Sequence, residues 1–302
     1  MTTPNYIAID IAKDSLQVHS QQRHFNITYD NEGLSQLLEF VKKDKDAVVV
    51  CEATGSYERK LIKLLLHHDQ AVALLNPARV RAFACSKGIR AKTDSIDAKL
   101  ILDFAQQNQP RLCSKGQPQH DQLVALMDRR SQLNDMLVKE KNRLDKSSQP
   151  AKSSIEKVIA FLQKQLEDIE QEISQLIESN EQIKQQDQIM QSVKGVGKTT
   201  SWSILAYLQE INDIGRNQLV ALAGLAPFNR DSGQFKGRRF IQAGRAKLRK
   251  SLYMAATTAA VHNPVIKSYV QGLRQRGKPY KMAIVAAMRK LLIHIQSLLK
   301  YS

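Results

Sequence analysis

Along the first hundred residues the spacing of apolar positions changes repeatedly, and each change marks an element. "NYIAIDI" (residues 5–11) is a nearly unbroken apolar run, the pattern of a strand covered on both faces. "SLQVHS" and "HFNITYD" follow as short alternating strands with tight turns between them. "NEGLSQLLEFVKK" has helical spacing, and the valine-rich "AVVVCEAT" reads as a buried strand. "SYERKLIKLLLHH" is an amphipathic helix, "AVALLN" another strand, and "PARVRAFACSKG" a helix opened by Pro77, where a missing N–H costs nothing. "DSIDAKLILDFAQQ" is the next helix. Three antiparallel strands, then alternating helices and strands, predict an α/β domain.

Two prolines and a glycine in "PRLCSKGQP" (residues 110–118) predict a linker. Beyond it, Ile155, Ile159, Leu162, Leu166, Ile169, Ile173 and Leu176 are spaced alternately by four and three, a heptad seam. A helix over about residues 119–145 can pair with it antiparallel through the turn "SSQPAKSS". The seam can close within the chain or between chains; a coiled-coil arm that helps build an oligomer is expected. Near residue 190 "VKGVGKTTSWSILAYL" opens a compact helical domain. There Pro227 and the polar "NRDSGQFKGRR" predict a loop, and "GRAKLRKSLYMAATTAAVH" a helix that stops before Asn263-Pro264. "PYKMAIVAAMRKLLIHIQSLLK" is the last helix. The expected division is residues 1–112, an α/β domain, 113–189, a helical arm, and 190–302, a compact helical domain.

Charge adds a partner to this picture. The 302 residues carry 45 Lys+Arg against 29 Asp+Glu, a net charge of +16. Residues 191–302 hold 19 of the basic and 3 of the acidic residues, leaving 26 of each sign in residues 1–190. A neutral front and a strongly basic back point to a polyanion, nucleic acid foremost. Cys51, Cys85 and Cys113 are far apart and form no CxxC pair, which argues against a zinc site or a disulfide framework and suits a reducing cytosol. The N-terminal "MTTPNYIAID" lacks the pattern of a signal peptide, and no apolar stretch is expected to approach the length of a membrane span.

"GVGKTT" imitates a nucleotide-binding loop. A P-loop needs a glycine five residues before Gly197, where Ser192 stands, and a strand before the loop, where a long polar helix is expected. ATP is therefore not expected. The segment reads better as a helix–hairpin–helix-like turn, whose backbone N–H groups and Lys198 suit a DNA phosphate.

The carboxylates carry the chemistry. Asp94 and Asp97 in "AKTDSIDAKL" leave one helix face three residues apart, where like charges repel unless a cation lies between them. Asp10 interrupts the apolar run "IAIDIA", and Glu52 ends the valine-rich strand. In a ribonuclease H-like arrangement the first and fourth strands lie side by side and a later helix crosses their ends, so the four acids converge. Four hard oxygen donors suit Mg²⁺ or Mn²⁺. Two such ions activate an attacking oxygen and stabilise a leaving oxygen at a phosphate.

With these residues in view, "YIAIDIAKDSLQVH", "CEATGSYE", "LLNPARVRAFACSKGIRAKTDSIDA" and "LAGLAPFNRDSGQFKGRRFIQAGRAKLRKSLYMAA" resemble the DEDD-type insertion-sequence transposases, the bridge-RNA-guided recombinases, and the related pilin-gene DNA invertases. The resemblance covers nearly the whole chain. It implies a RuvC-like domain, a coiled-coil arm and a C-terminal transposase domain with an essential serine. The family's acids fall on Asp10, Glu52, Asp94 and Asp97, as metal ligands and catalytic residues. Its serine falls on Ser232 in "RDSGQF", as a nucleophile that forms a covalent phosphoserine link to DNA. It further implies double-stranded donor and target DNA, a structured guide RNA encoded beside the gene, and dimers assembling to a tetramer, in the bacterial cytoplasm at the nucleoid and away from membranes. Arg79, Arg81, Lys87, Arg90, Lys92, Lys198, Lys236, Arg238, Arg239, Arg245 and Arg249 are the candidate nucleic-acid contacts. Two rivals stand beside this reading: a RuvC-type metal-dependent nuclease with no covalent step, and a non-enzymatic DNA-binding protein.

Overall fold

The computed structural model describes residues 4–301 apart from 45, 56, 90–93, 114–117, 229–230, 233–234 and 237–239; for residues 94–96, 231–232 and 235–236 it describes the backbone only. The chain divides into two compact units, Met1–Gly116 and Gln117–Ser302.

The first unit is built on five strands: β1 (Tyr6–Ile11), β2 (Ser15–His19), β3 (His24–Thr28), β4 (Val48–Glu52) and β5 (Ala71–Leu75). They lie in the order β3-β2-β1-β4-β5. β1, β2 and β3 pair antiparallel, whereas β1, β4 and β5 run parallel. Four helices cover the sheet: α1 (Asn31–Val41), α2 (Glu58–His67), α3 (Pro77–Ser86) and α4 (Asp94–Asn108). Alternation along β1 sorts them into two layers. Ile7, Ile9 and Ile11 share a core with Leu34 and Leu37 of α1 and Leu61 and Leu65 of α2. Tyr6 and Ala8 share the opposite core with Val80 of α3 and Ile101, Phe104 and Ala105 of α4. The continuous apolar character of β1 and β4 follows from this double cover.

The second unit opens with α5 (Pro118–Leu144) and α6 (Gln149–Glu178), a hairpin whose turn is residues 145–148; most of the expected turn SSQPAKSS is already in α6, with Pro150 in its first turn, where a missing N–H costs nothing. The heptad positions Ile159, Leu162, Leu166 and Ile169 pack on Leu133 and Leu137 of α5. Of the two pairings open to the seam, the one present is therefore within the chain. Arg130 crosses to Glu170 at 2.6 Å beside it.

Next come α7 (Glu181–Gln191), α8 (Lys198–Tyr207), a short 3₁₀ turn (Gln209–Asn212) and α9 (Arg216–Leu222). Trp202 of α8 is buried among Leu123, Met127, Ile173 and Ile177, which joins the hairpin to the helices after it. As expected, a helix rather than a strand precedes the GVG turn. Gly195 of that turn has φ +103°, and a Cβ there would come within 2.6 Å of Ala259.

The expected loop after Pro227 instead contains four two-residue strands, β6 (Pro227–Phe228), β7 (Asp231–Ser232), β8 (Phe235–Lys236) and β9 (Phe240–Ile241). β6 pairs with β9, and β7 with β8. Strands this short carry no periodic signal; Gly233-Gln234 between Ser232 and Phe235, a Gly-X pair of the kind two-residue hairpins favour, is the local cue.

Helices α10 (Ala246–His262), α11 (Pro264–Gln275) and α12 (Tyr280–Tyr301) complete the unit. Asn263 caps α11 by accepting from the Val265 and Ile266 N–H groups at 3.1 and 3.3 Å, so Asn263-Pro264 starts a helix as well as ending one. One expectation is overturned here. α12 is long and apolar enough to cross a membrane, with a mean hydropathy of 1.5 over its apolar window. Its apolar residues have another use: Ala283, Ile284, Ala287, Met288, Leu291, Leu292 and Ile295 are buried in the core of this unit.

Candidate active site

Pairing register brings the first two acids together. Ile9 of β1 lies beside Cys51 of β4 in a parallel ladder, so the next residues, Asp10 and Glu52, occupy matching positions at the strands' C-terminal ends. Neighbouring strands are about 4.8 Å apart. Ile9 and Cys51 face the α1/α2 core, so Asp10 and Glu52 belong to the other face, the one α4 covers. Both are partly exposed, unlike the buried residues before them in their strands.

α4 bears the other two expected acids, Asp94 and Asp97. His19 lies beside Ala8 in the β1–β2 register and feels the charges of Lys99 and Asp103 of α4. Asp97, half-buried, lies one turn before Ile101, which shares a core with Ala8 of β1. Asp94 is the first residue of α4, and its side chain lies outside the described residues. Among the described residues no group of three or more His, Cys, Asp and Glu side chains stands close enough to hold a metal ion. What is described is a sheet pair, Asp10 and Glu52, with Asp97 on the helix that covers them.

Two neutral oxygens that sequence reasoning missed flank this pair. Gln17 is the direct β2 partner of Asp10. Its Oε1 is buried with no hydrogen-bond partner, as is Thr54 Oγ1 two residues after Glu52. Buried oxygens of this kind are normally satisfied. Carboxylates with a neutral amide oxygen on one face of a sheet are the donor chemistry of a hard divalent cation, so Asp10, Glu52 and Gln17 fit one. Alternation alone signals Gln17, a polar residue between buried Leu16 and Val18.

Beside them, His19 and His24 share a ring-nitrogen contact of 3.1 Å. Burial lowers the His19 pKa, helped by the charges of His24 and Lys99 and opposed by Asp103. A folded-state pKa below the unfolded value means that the unfolded chain binds more protons as pH falls. His19 thus contributes stability above the ordinary histidine range that is lost on acidification through it. Thermal unfolding from pH 7.5 to 5.5 should show a smaller fall in Tm for His19→Gln than for the wild type.

Ser232 sits in β7, paired with Phe235 of β8; its side chain is outside the described residues. The base of this region is tightly closed. Gly224 and Gly244 both have φ +67°, Ala243 has φ +58°, and a Cβ on Gly244 would run into the Gly224 backbone. The Arg245 N–H donates to the Leu222 carbonyl at 2.9 Å.

The candidate nucleic-acid contacts divide. Arg81 and Lys198 are exposed, and Lys198 is the first residue of α8. Arg79 stands 5.5 Å from the Phe104 ring centre, and Lys87 pairs with Asp103 at 3.1 Å. Arg245 holds Glu210 through two 2.7 Å bonds and also donates to the Tyr207 carbonyl. Arg249 donates to the Ala243 carbonyl at 2.5 Å. These two arginines thus brace the hairpin base, and their guanidinium groups are engaged within the protein. Lys236 lies in β8 with its backbone alone described, and Arg90, Lys92, Arg238 and Arg239 lie outside the described residues.

This layout coincides with known families. Residues 7–147 match a transposase family of the DEDD type found in IS110 elements. Residues 187–271 match the IS116/IS110/IS902 transposase family. Residues 7–147 and 187–271 are thus each similar to the domains of IS110-type transposases, the first of the DEDD type. The chain is also homologous to the pilin gene-inverting protein of Moraxella bovis, 28% identical over 299 residues that cover 95% of this chain and 93% of the relative. The pilin gene-inverting protein of Moraxella lacunata matches to the same extent.

Proposed function

We propose that this protein cuts and rejoins double-stranded DNA through a covalent phosphoserine link at Ser232, assisted by a divalent-metal site of Asp10, Glu52, Asp94 and Asp97, and guided by a structured RNA encoded beside its gene. The observation that supports this most is the register of Asp10 with Glu52 beneath α4, inside the residues that match the DEDD transposase family.

The four acids would hold the cation as oxygen ligands. Once bound, it supplies Lewis acidity that draws charge from a DNA phosphate and eases loss of the serine proton. The Ser232 Oγ forms a bond to phosphorus, and the bond from phosphorus to a deoxyribose oxygen breaks. The protein is then joined to one DNA end, and the other end leaves with a free hydroxyl. Attack by a different DNA hydroxyl on the same phosphorus reverses the step and frees the serine. One phosphodiester replaces another, so no nucleotide hydrolysis is needed. Arg238 and Arg239, close to Ser232 in sequence, suit the phosphate charge. The excess of base in residues 191–302 suits the DNA backbone.

The guide RNA and a tetramer made from dimers rest on the resemblance of the sequence motifs. Donor and target plasmids incubated with protein, Mg²⁺ and transcripts of the flanking DNA should recombine. Omitting the transcript should abolish the product, and recombination at an unchanged rate without it would remove RNA guidance from the reading.

A further inference from the structure

Gln17 is a residue that neither the acid motif nor the serine motif contains. It stands opposite Asp10 in the β1–β2 ladder, so both side chains belong to the same face. Leu16 and Val18 on either side point into the α1/α2 core, which places Gln17 on the α4 face by alternation. β2 and α4 enclose it: its neighbour two residues on, His19, is within the electrostatic reach of Lys99 and Asp103. Its Oε1 is closed off from solvent and accepts no hydrogen bond.

An enclosed amide oxygen without a donor leaves its lost hydration unrecovered. An apolar residue of similar length would avoid that cost at this position. The arrangement becomes favourable when a hydrated cation occupies the Asp10–Glu52 side of the sheet, because the oxygen then gains a donor or a positive charge. Amide oxygens are ordinary ligands of hard divalent cations and ordinary acceptors for the waters that such cations keep. Thr54 Oγ1, two residues after Glu52 in the chain, is likewise buried without a partner.

We propose that Gln17 is a positioning residue of the metal site, its Oε1 serving as a neutral oxygen donor to the hydrated divalent cation held by the acids. This rests on the metal-site reading above. The role is distinct from that of the acids: a neutral donor fixes where the cation sits without adding to the repulsion between carboxylates.

The test is Mn²⁺ binding to the full chain, followed by electron paramagnetic resonance of free Mn²⁺ in the absence of DNA and RNA. Four proteins are compared: wild type, Gln17→Met, Gln17→Glu and Asp10→Ala. Gln17→Met keeps length and removes the oxygen, and should weaken Mn²⁺ at least about tenfold, the usual cost of losing a supporting partner of a metal. Its metal-free Tm should equal or exceed that of the wild type, since an orphaned acceptor has gone. Gln17→Glu restores an oxygen donor and should bind Mn²⁺ at least as well as the wild type. If Gln17→Met binds Mn²⁺ like the wild type while Asp10→Ala does not, Gln17 is no part of the site and the proposal fails, with the metal site standing. If Asp10→Ala also binds like the wild type, the metal-site reading fails and the proposal falls with it. A Gln17→Met protein with a much lower metal-free Tm would show that the oxygen is already satisfied in the fold, and would overturn the premise.

Discussion

Asp10→Asn is expected to give a folded protein whose DNA strand cleavage is reduced by at least about 10²–10³-fold, the scale of losing one preorganised electrostatic group at a reacting phosphate. The substitution conserves shape and removes only the charge. Asp10 is the partly exposed member of an otherwise buried strand and stands beside Glu52 in the parallel register, where two carboxylates repel each other. Tm should therefore stay level or rise slightly while cleavage collapses. Glu52→Gln should behave alike, and the double variant should be scarcely worse than either single one, because ligands of one site act as a unit. Single-turnover cleavage of a labelled duplex, with Tm measured on the same preparations, checks all three. Loss of cleavage together with a fall in Tm of many degrees would instead make Asp10 a structural residue.

Gly244→Ala carries the second large effect, on stability. Gly244 has φ +67°, which an alanine adopts at a cost of about 1 kcal/mol. The steric cost is greater: the new Cβ would enter the space of the Gly224 backbone, and backbone cannot rotate away as a flexible side chain can. A total near 3–5 kcal/mol is expected, in the range of a rare, severe substitution. The neighbouring Ala243→Gly makes the control. Ala243 already holds φ +58°, so glycine relieves strain there while loosening the unfolded chain, and a change within about 0.5 kcal/mol is expected. Urea unfolding at constant m separates the two. Because β6–β9 and the strand bearing Ser232 lie between Gly224 and Gly244, the first variant should also lose activity under conditions where it remains folded.

Much of the α/β unit was legible because its signals are local and strong. A valine run, a proline at N1 and two amphipathic helices each state their own element, and the observed bounds of β1, β4 and α3 fall inside the segments that predicted them. The pairing of Asp10 with Glu52 was legible one step further, from the expectation that the first and fourth strands adjoin. The hairpin region was not. Two-residue strands leave no period, and their closure depends on Gly224 meeting Gly244 across twenty residues, a contact no window reveals. The fate of Arg245 was hidden for a related reason: its neighbours in sequence are basic, but its partners, Glu210 and the Tyr207 carbonyl, come from the segment around the 3₁₀ turn. Charge pattern marks residues 191–302 as basic without saying which cations the fold engages for itself. The apolar length of α12 was underestimated because its polar residues interrupt the run, though the mean hydropathy of the helix remains high.

The most direct measurement for the central claim is a denaturing gel of end-labelled donor and target DNA after incubation with the protein, Mg²⁺ and its flanking RNA. The account expects a DNA band shifted by covalently attached protein, sensitive to protease, and absent from both Ser232→Ala and Asp10→Asn. Free cleaved DNA without an adduct, still produced by Ser232→Ala, would contradict it and leave a metal-dependent nuclease that uses water in place of serine.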